Sequence, residues 1–517
     1  MFLYRCCKEG EIFVQRKIGL SHQLAYGSAN LLGSGALAIS GAWLMYFYTT
    51  FCGLSIVQAA AIFSIASVVD AVSNPIMGFI TDNFHKTRLG KRFGRRKFFI
   101  LLGIPLMLVY PMLWVDGFGF WYYLLTYILF ELIYTSVMVP YETIAAEMTT
   151  DFSLRSKLTG FKAIFGKIAN FLAAFIPGRF IAEYGQDSPL PFFYTGLLYG
   201  GIMVIALISL YMFSWERSAD EIRDERTGSL WESLKKLFID MISTFRVRTF
   251  RHHLGMYLFG FGAEWLFASA FTYFIVFGLG QSSELVSNLL SFSSIMQLIS
   301  TAFFIWLCVK MGFARPFRIA LNVVILSVIG YTALYFTGSE NLVILLFAIT
   351  MFFGLGTGGV FYIPWNVYTF LADVDEAVTG RRREGLYAGV MTFAGKLTRA
   401  VVVYILGWVL GNFGFVSGQS TQPEAAVQAV VGVFAIGVIS LAIGGVISAY
   451  KLKLDRESHG ILIKEIDRIN DGGSMKEVDN KTRTVVEALT GFPYEKCFGN
   501  NNVGYQQKPD IDSSLKA

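Results

Sequence analysis

Long apolar stretches recur along the chain, separated by short polar connections. Twelve of them, at 24–50, 56–80, 98–115, 119–144, 160–183, 191–214, 252–278, 285–309, 316–337, 341–370, 385–411 and 424–450, read as spanning helices, since about 20 residues cross a bilayer. Most are apolar on every face, so no stripe orients them against a neighbour. The longer ones allow tilt or protruding ends. The pattern predicts an all-α membrane protein.

The polar connections differ in charge from one side to the other. HKTRLGKRFGRRK at 85–97 carries seven Lys and Arg, and more follow in 155–157, in 215–251, at Lys310 and Arg315, and in 381–383. The alternate connections, such as VDGFGF, EYGQDSPLP and GLGQSSE, carry none. The positive-inside rule then puts both termini in the cytoplasm and the chain in the plasma (cell inner) membrane. Residues 215–251 divide the chain into a six-helix half at 1–214 and a second at 252–450. Within that connection SLWESLKKLFIDMI reads either as an amphipathic helix on the inner surface or as a plain linker. The polar tail at 451–517 predicts one short helix followed by disordered chain. Two six-helix halves around a central cavity is the architecture of the major facilitator superfamily.

Composition agrees with this reading. Of 517 residues 54% are hydrophobic and 15% are charged, against about 25% charged in soluble domains; the mean hydropathy is +0.53. The net charge of +6 does not point to nucleic acid, because the cations lie between the apolar windows as topology signals. Cys6, Cys7, Cys52, Cys308 and Cys497 are scattered and odd in number, with neither a disulfide framework nor metal spacing. The first apolar window is too long for a signal peptide and has no cleavage site. No nucleophile–base pair or phosphate-binding loop appears, and GLGTGG lies in an apolar window without a preceding strand, so an enzyme is not expected.

The ionisable residues inside the windows are then the functional candidates. In VVDAVSNPIMGFI, Asp70 stands in the second window, where a lone charge costs roughly 2.5–3.5 kcal/mol on insertion scales. Ser73 and Asn74 follow within one helical turn, and Thr135 in the fourth window adds a hydroxyl. Such clustered oxygens suit a hard monovalent cation; a carboxylate alone can instead carry a proton, so sodium and proton both stand as coupling ions. Glu131 and Glu264 are the other embedded acids, and Lys162, Lys167, Arg179, Lys396 and Arg399 the embedded cations. Lys396 and Arg399, three apart, share one helix face. Lys162 and Lys167 lie roughly 140° apart and do not.

These residues resemble a known family. The run from LAYGSANLLGSG through DAVSNPIMGFITDNFHKTRLGKRFGRRKFF, the block PYETIAAEMTTDFSLRSKLTGFK and the block IPWNVYTFLADVDEAVTGRRREGLYAGVMTFAGKLTRA resemble the glycoside–pentoside–hexuronide:cation symporters. The resemblance implies alternating access, a sugar site in the central cavity and a cation site beside it. Asp70 matches the first carboxylate of the family's cation site, Thr135 its fourth-helix hydroxyl, and Lys396 the eleventh-helix lysine that connects the cation and sugar sites. The departures matter equally. Asn74 stands where melibiose-type members carry a second carboxylate, and Ser73 where they carry asparagine. Ser34 replaces the first-helix acid that grips a neutral galactoside, Gly33 the lysine before it, and Met138 the fourth-helix acid.

Removing carboxylates while keeping amines makes a cavity positive, which favours an anion over its neutral analogue. Lys162, Lys167, Lys396 and Arg399, with Ser34, are therefore the expected substrate-binding residues, and Tyr141 and Trp365 are candidate stacking rings. The expected function is cation-coupled symport of an acidic glycoside, a hexuronide or short oligouronide. A neutral glycoside, an anionic lipid-like solute and a non-transporting sensor remain as alternatives. The partners expected are a small-molecule sugar, a coupling cation and the bilayer, with no other cofactor or resident metal. A cytoplasmic gate in which Asp82 or Glu147 pairs with Arg383 stands beside the plainer view that these charges only set topology.

Overall fold

The structure is a computed structural model that describes residues 3–8, 11–16, 18–149, 152–216, 230–338, 340–380 and 383–500. A short antiparallel hairpin, β1 (Leu3–Lys8) and β2 (Glu11–Arg16), pairs Leu3 with Arg16. Helices follow: α1 (Leu20–Thr50), α2 (Ile56–Asn83), α3 (Lys97–Leu106), α4 (Phe120–Met148), α5 (Phe152–Tyr184), α6 (Leu190–Phe213), α7 (Leu230–Thr244), α8 (Arg248–Gly278), α9 (Ser283–Met311), α10 (Ala314–Thr337), α11 (Leu342–Thr379), α12 (Glu384–Asn412) and α13 (Glu424–Lys451), then α14 (Arg456–Asn470) and α15 (Asn480–Thr490) in the tail.

Among the described residues eleven helices are long and apolar enough to cross a membrane. The remaining window, 98–115, is broken. Its helix α3 stops at Leu106 and one further turn covers Val109–Met112. Pro111 explains the interruption: it donates no amide hydrogen, and its ring crowds the carbonyl of Met107, four residues back. The amphipathic stretch in the connection is a helix, α7, which rests on α12 with Phe238 against Phe393.

The chain divides into two compact units. One comprises 1–226 with 282–291 and 417–419; the other comprises 227–281, 292–416 and 420–517. Each follows the same pairing scheme. In the first, α1 packs on α5 and α6, while α3 packs on α4 and α6. In the second, α8 packs on α12 and α13, while α10 packs on α11 and α13. This repetition is the internal repeat of the fold.

The tail departs from expectation. Two helices, not one, are ordered, and they pack on α11 and, through α15, on α8. Asp455 and Ser458 form a reciprocal cap at the start of α14; the Asp479 carboxylate accepts the amides of Lys481 and Thr482 at the start of α15. His459 Nε2 bonds Asp373 at 2.8 Å, the Phe498 amide donates to the Ala377 carbonyl at 2.7 Å, and the Thr249 hydroxyl donates to the Leu489 carbonyl at 2.6 Å. Leu462, Val486, Leu489 and Cys497 are fully buried, so this polar stretch has a small apolar core of its own.

Candidate functional site

Asp70 is buried on α2, against α4. The Thr135 hydroxyl of α4 donates to Asp70 Oδ1, and Asn74 Nδ2 donates to the same oxygen at 3.1 Å. Local sequence prepares the spot. Pro75 has no amide to give the Ala71 carbonyl, which loosens the helix beside Asp70. Asn74 Nδ2 also donates to the Asp70 main-chain carbonyl at 2.6 Å, and Ser73 Oγ donates there at 3.0 Å. Ser73 is thus turned into its own helix rather than toward the carboxylate. Asn74 presents its donor end; rotating the amide would present Oδ1 to a cation.

The two helices run parallel at this place. Phe63 meets Tyr127, with ring centroids 5.0 Å apart, and Asp70 meets Thr135 about two turns further on. The same register brings Glu131 level with Ser67. Glu131 and Ser67 are both buried, and Glu131 shares a face with Thr135 at i, i+4 spacing. A second acidic side chain therefore sits about one turn from Asp70, on the facing helix rather than at position 74. Its place depends on the α2–α4 register, which residue types alone do not specify.

Tyr134, next to Thr135, and Met138, about one turn further along α4, mark the junction of α1, α4 and α5. Here Tyr134 donates to the Gly33 carbonyl at 2.8 Å, and Asn30 Nδ2 donates to the Lys162 carbonyl at 2.9 Å. A β-carbon on Gly33 would lie 2.5 Å from Asn30 Oδ1 and 2.6 Å from Met138 Cε. A side chain at 33 would require the Asn30 amide and the tip of Met138 to move aside, and Met138 fills the space beside Gly33. Half-buried Ser34 faces Gly166, where an added β-carbon would come within 3.2 Å of its Oγ. Lys162 pairs with Glu142 and lies 5.5 Å from the Tyr141 ring centre. Lys167, half-buried, follows on α5.

Tyr141 needs correcting as a stacking platform. It is fully buried, packed on Tyr26 at 4.9 Å, with its hydroxyl on the Tyr26 carbonyl at 3.0 Å. No face of the ring is left for a sugar in this conformation. In the second unit Trp365 keeps 39% of its surface exposed and meets Tyr257 edge to face. Lys396 and Arg399 lie half-buried on α12. Packing of Tyr257 against Gly395 and of Gly262 against Thr398 brings Arg399 near the level of Glu264.

Each unit holds an ion-pair cluster of its own, at Glu147 and at Asp375. Glu147, at the end of α4, holds Arg95 at 2.7 Å and also Arg96. Beside it Glu216 accepts the amides of Arg95 and Arg96 at 2.6 and 2.9 Å. Gly94, at φ +92°, is required there, since a β-carbon would come within 2.1 Å of Glu216 Oε1. In the second unit the fully buried Asp375, near the end of α11, receives Arg383 Nε and Nη2 at 2.7 and 2.6 Å and the Tyr387 hydroxyl at 2.7 Å. Arg383 Nη1 also donates to Ser243 of α7 at 3.0 Å. Burial alone would lower the Arg383 pKa, but the bonds and charge of Asp375 outweigh it and raise it. Sequence reading missed Asp375 and Tyr387; their signal was an acid eight residues before an arginine across a helix–helix turn. The Asp82 side chain, Arg381 and Arg382 lie outside the described residues.

Comparison with known proteins follows the same lines. The sequence profile of the MFS/sugar transport protein family matches residues 25–456. The chain is similar to the uncharacterized symporter YnaJ of Bacillus subtilis (strain 168), at 25% identity over 87% of this chain and 96% of that one. It is similar to the glucuronide carrier protein homolog of Escherichia coli (strain K12), at 20% identity over 78% and 85%. Among solved structures the D-xylose-proton symporter superposes with a TM-score of 0.60 at 15% identity, covering 84% of this chain and 96% of that one. That last likeness shows a shared fold, and the family profile identifies it as the major facilitator fold.

Proposed function

The chain belongs to the MFS/sugar transport protein family, among its glycoside–pentoside–hexuronide:cation symporters, and from that premise we propose that Asp70 loads its coupling ion and that its solute is an acidic glycoside, a hexuronide or short oligouronide. It is a multi-pass membrane transporter of the sugar symporter type. The observation that carries the proposal is the buried Asp70 carboxylate, held between α2 and α4 by Thr135 and Asn74 and one α4 turn from the Gly33–Met138 junction. An ion bound at Asp70 and a solute held beside Gly33 and Ser34 would both bear on α4. Sodium or a proton is the ion proposed. The acidic solute is favoured because Gly33, Ser34 and Met138 offer no carboxylate, while Lys167, Lys396 and Arg399 keep cationic groups on α5 and α12. An Arg holds a carboxylate with two parallel bonds, a Lys as a point charge. The name of the E. coli relative, a glucuronide carrier homolog, points the same way. The charge asymmetry of the connections supports a plasma-membrane location with both termini in the cytoplasm.

The test is uptake into proteoliposomes of labelled methyl β-glucuronide against methyl β-glucoside, with and without sodium and across pH. The proposal expects the glucuronide to accumulate faster, with an imposed ion gradient required. Equal uptake of the two, or uptake of the neutral glycoside alone, overturns the acidic substrate.

A further inference from the structure

At one end of α10 and α13 the second unit has a cavity of about 180 Å³. We propose that it binds a phosphate oxyanion, of the kind an anionic phospholipid headgroup presents. Its walls include Phe313, Ala314, Arg315, Arg318, Tyr450 and Asp455. Two guanidinium groups thus border one small space. Neither is ion-paired among the described residues; the Arg318 guanidinium carbon lies over the Tyr450 ring, 3.9 Å from its centre. A guanidinium over a ring face engages the ring electrostatically and still has N–H donors to give to acceptors. The cavity also receives the start of α10, where helix geometry leaves the amides of Ala314 and Arg315 without an intrahelical acceptor. One carboxylate borders the space, that of Asp455, and it is engaged in capping α14, accepting the Ser458 amide at 2.8 Å.

The surroundings favour a lipid as the source. Ile319 on α10 and Ile443, Ile447 and Tyr450 on α13 are all exposed, so both helices carry an apolar outer surface that leads up to the cavity. Beyond it the chain turns basic and polar, with Lys451 and Lys453. An acyl chain along that surface would place its phosphate against Arg315 and Arg318, as basic pockets at helix ends hold anionic headgroups. The volume also lies below the roughly 300–1,000 Å³ of pockets that enclose a drug-sized ligand, which suits a phosphate better than a disaccharide.

Full-length protein in detergent would be titrated with phosphatidylglycerol and followed by native mass spectrometry; in a parallel arm its melting would be followed in millimolar inorganic phosphate. The comparison is between the wild type, the Arg315→Gln/Arg318→Gln double variant and Lys496→Gln, which removes a positive charge elsewhere. Phosphatidylglycerol binding that weakens about tenfold in the double variant but not in Lys496→Gln supports the lipid site, since a charge-assisted pair at each arginine is removed. Arginine-dependent stabilisation by inorganic phosphate supports the same oxyanion site with free phosphate as its source. Equal lipid binding in all three proteins, with no arginine-dependent effect of phosphate, overturns the proposal. If the double variant fails to fold, Arg318→Lys decides: weaker phosphatidylglycerol binding than wild type supports the site, and unchanged binding refutes it.

Discussion

Asp70 receives two side-chain hydrogen bonds, and each makes a separate prediction. Removing the Thr135 hydroxyl takes one donor from a buried carboxylate, and a hydrogen bond to a charged group contributes about 1.5–3 kcal/mol. Thr135→Val should therefore shift the apparent affinity for the coupling ion roughly tenfold. It becomes tighter for a proton, because the lost donor had favoured the ionised carboxylate, and weaker for sodium, which loses an oxygen ligand. The measure is the ion concentration for half-maximal uptake; an unchanged value separates Thr135 from the ion. Asn74→Asp restores the second carboxylate of melibiose-type members and should increase the stimulation of uptake by sodium. A variant that remains indifferent to sodium would show that position 74 does not set ion choice. At this scale the sequence was informative where chemistry is local. Asp70 and Thr135 stood out as a lone acid and a hydroxyl in apolar windows, and they do meet. The orientation of Ser73 and the enclosure of Tyr141 were not legible, because both depend on what a facing helix leaves open.

Among the elements, the helix windows were legible because spanning length and lack of charge are properties of composition. The interruption of the third window was legible only through Pro111, which a hydropathy window averages away. The folded tail was under-read although its signals were present: Asp455 with Ser458 as a capping box, Asp479 as a cap, and Gly491 at φ +82° closing α15. Burial pushes the Cys497 thiol in this tail up to about 11, from an ordinary value of 9.0. A raised pKa favours the neutral thiol, so its stabilising contribution is complete below pH 9 and is lost as pH rises toward 11. Labelling of Cys497 by a thiol reagent should then stay slow through neutral pH and accelerate in that window more steeply than for an exposed thiol; rapid labelling at pH 7 would mean the tail is not docked. The Asp375 cluster predicts a larger effect. Asp375→Asn leaves the half-buried Arg383 with only Asp240, 3.9 Å away, as counter-charge, and breaking a buried pair costs about 3–5 kcal/mol. The melting temperature of the purified protein should fall sharply, with Tyr387→Phe having a smaller effect; equal, negligible effects would show that the cluster contributes no stability.

For the whole molecule, the repeated pairing scheme assigns each unit its own carboxylate near the end of its fourth helix, Glu147 in one and Asp375 in the other, each held by arginines of the same unit. Sequence reading saw Glu147 and Arg383 but not Asp375, since residue types alone do not say which acid an arginine will meet. Within this frame the account has one centre: an ion loaded at Asp70 drives a solute through the transporter. Counterflow and gradient-driven uptake in proteoliposomes, compared between wild type and Asp70→Asn, measure that directly. The account predicts that the variant still exchanges labelled for unlabelled solute but no longer accumulates it against a gradient. Concentrative uptake by Asp70→Asn equal to that of the wild type would contradict it.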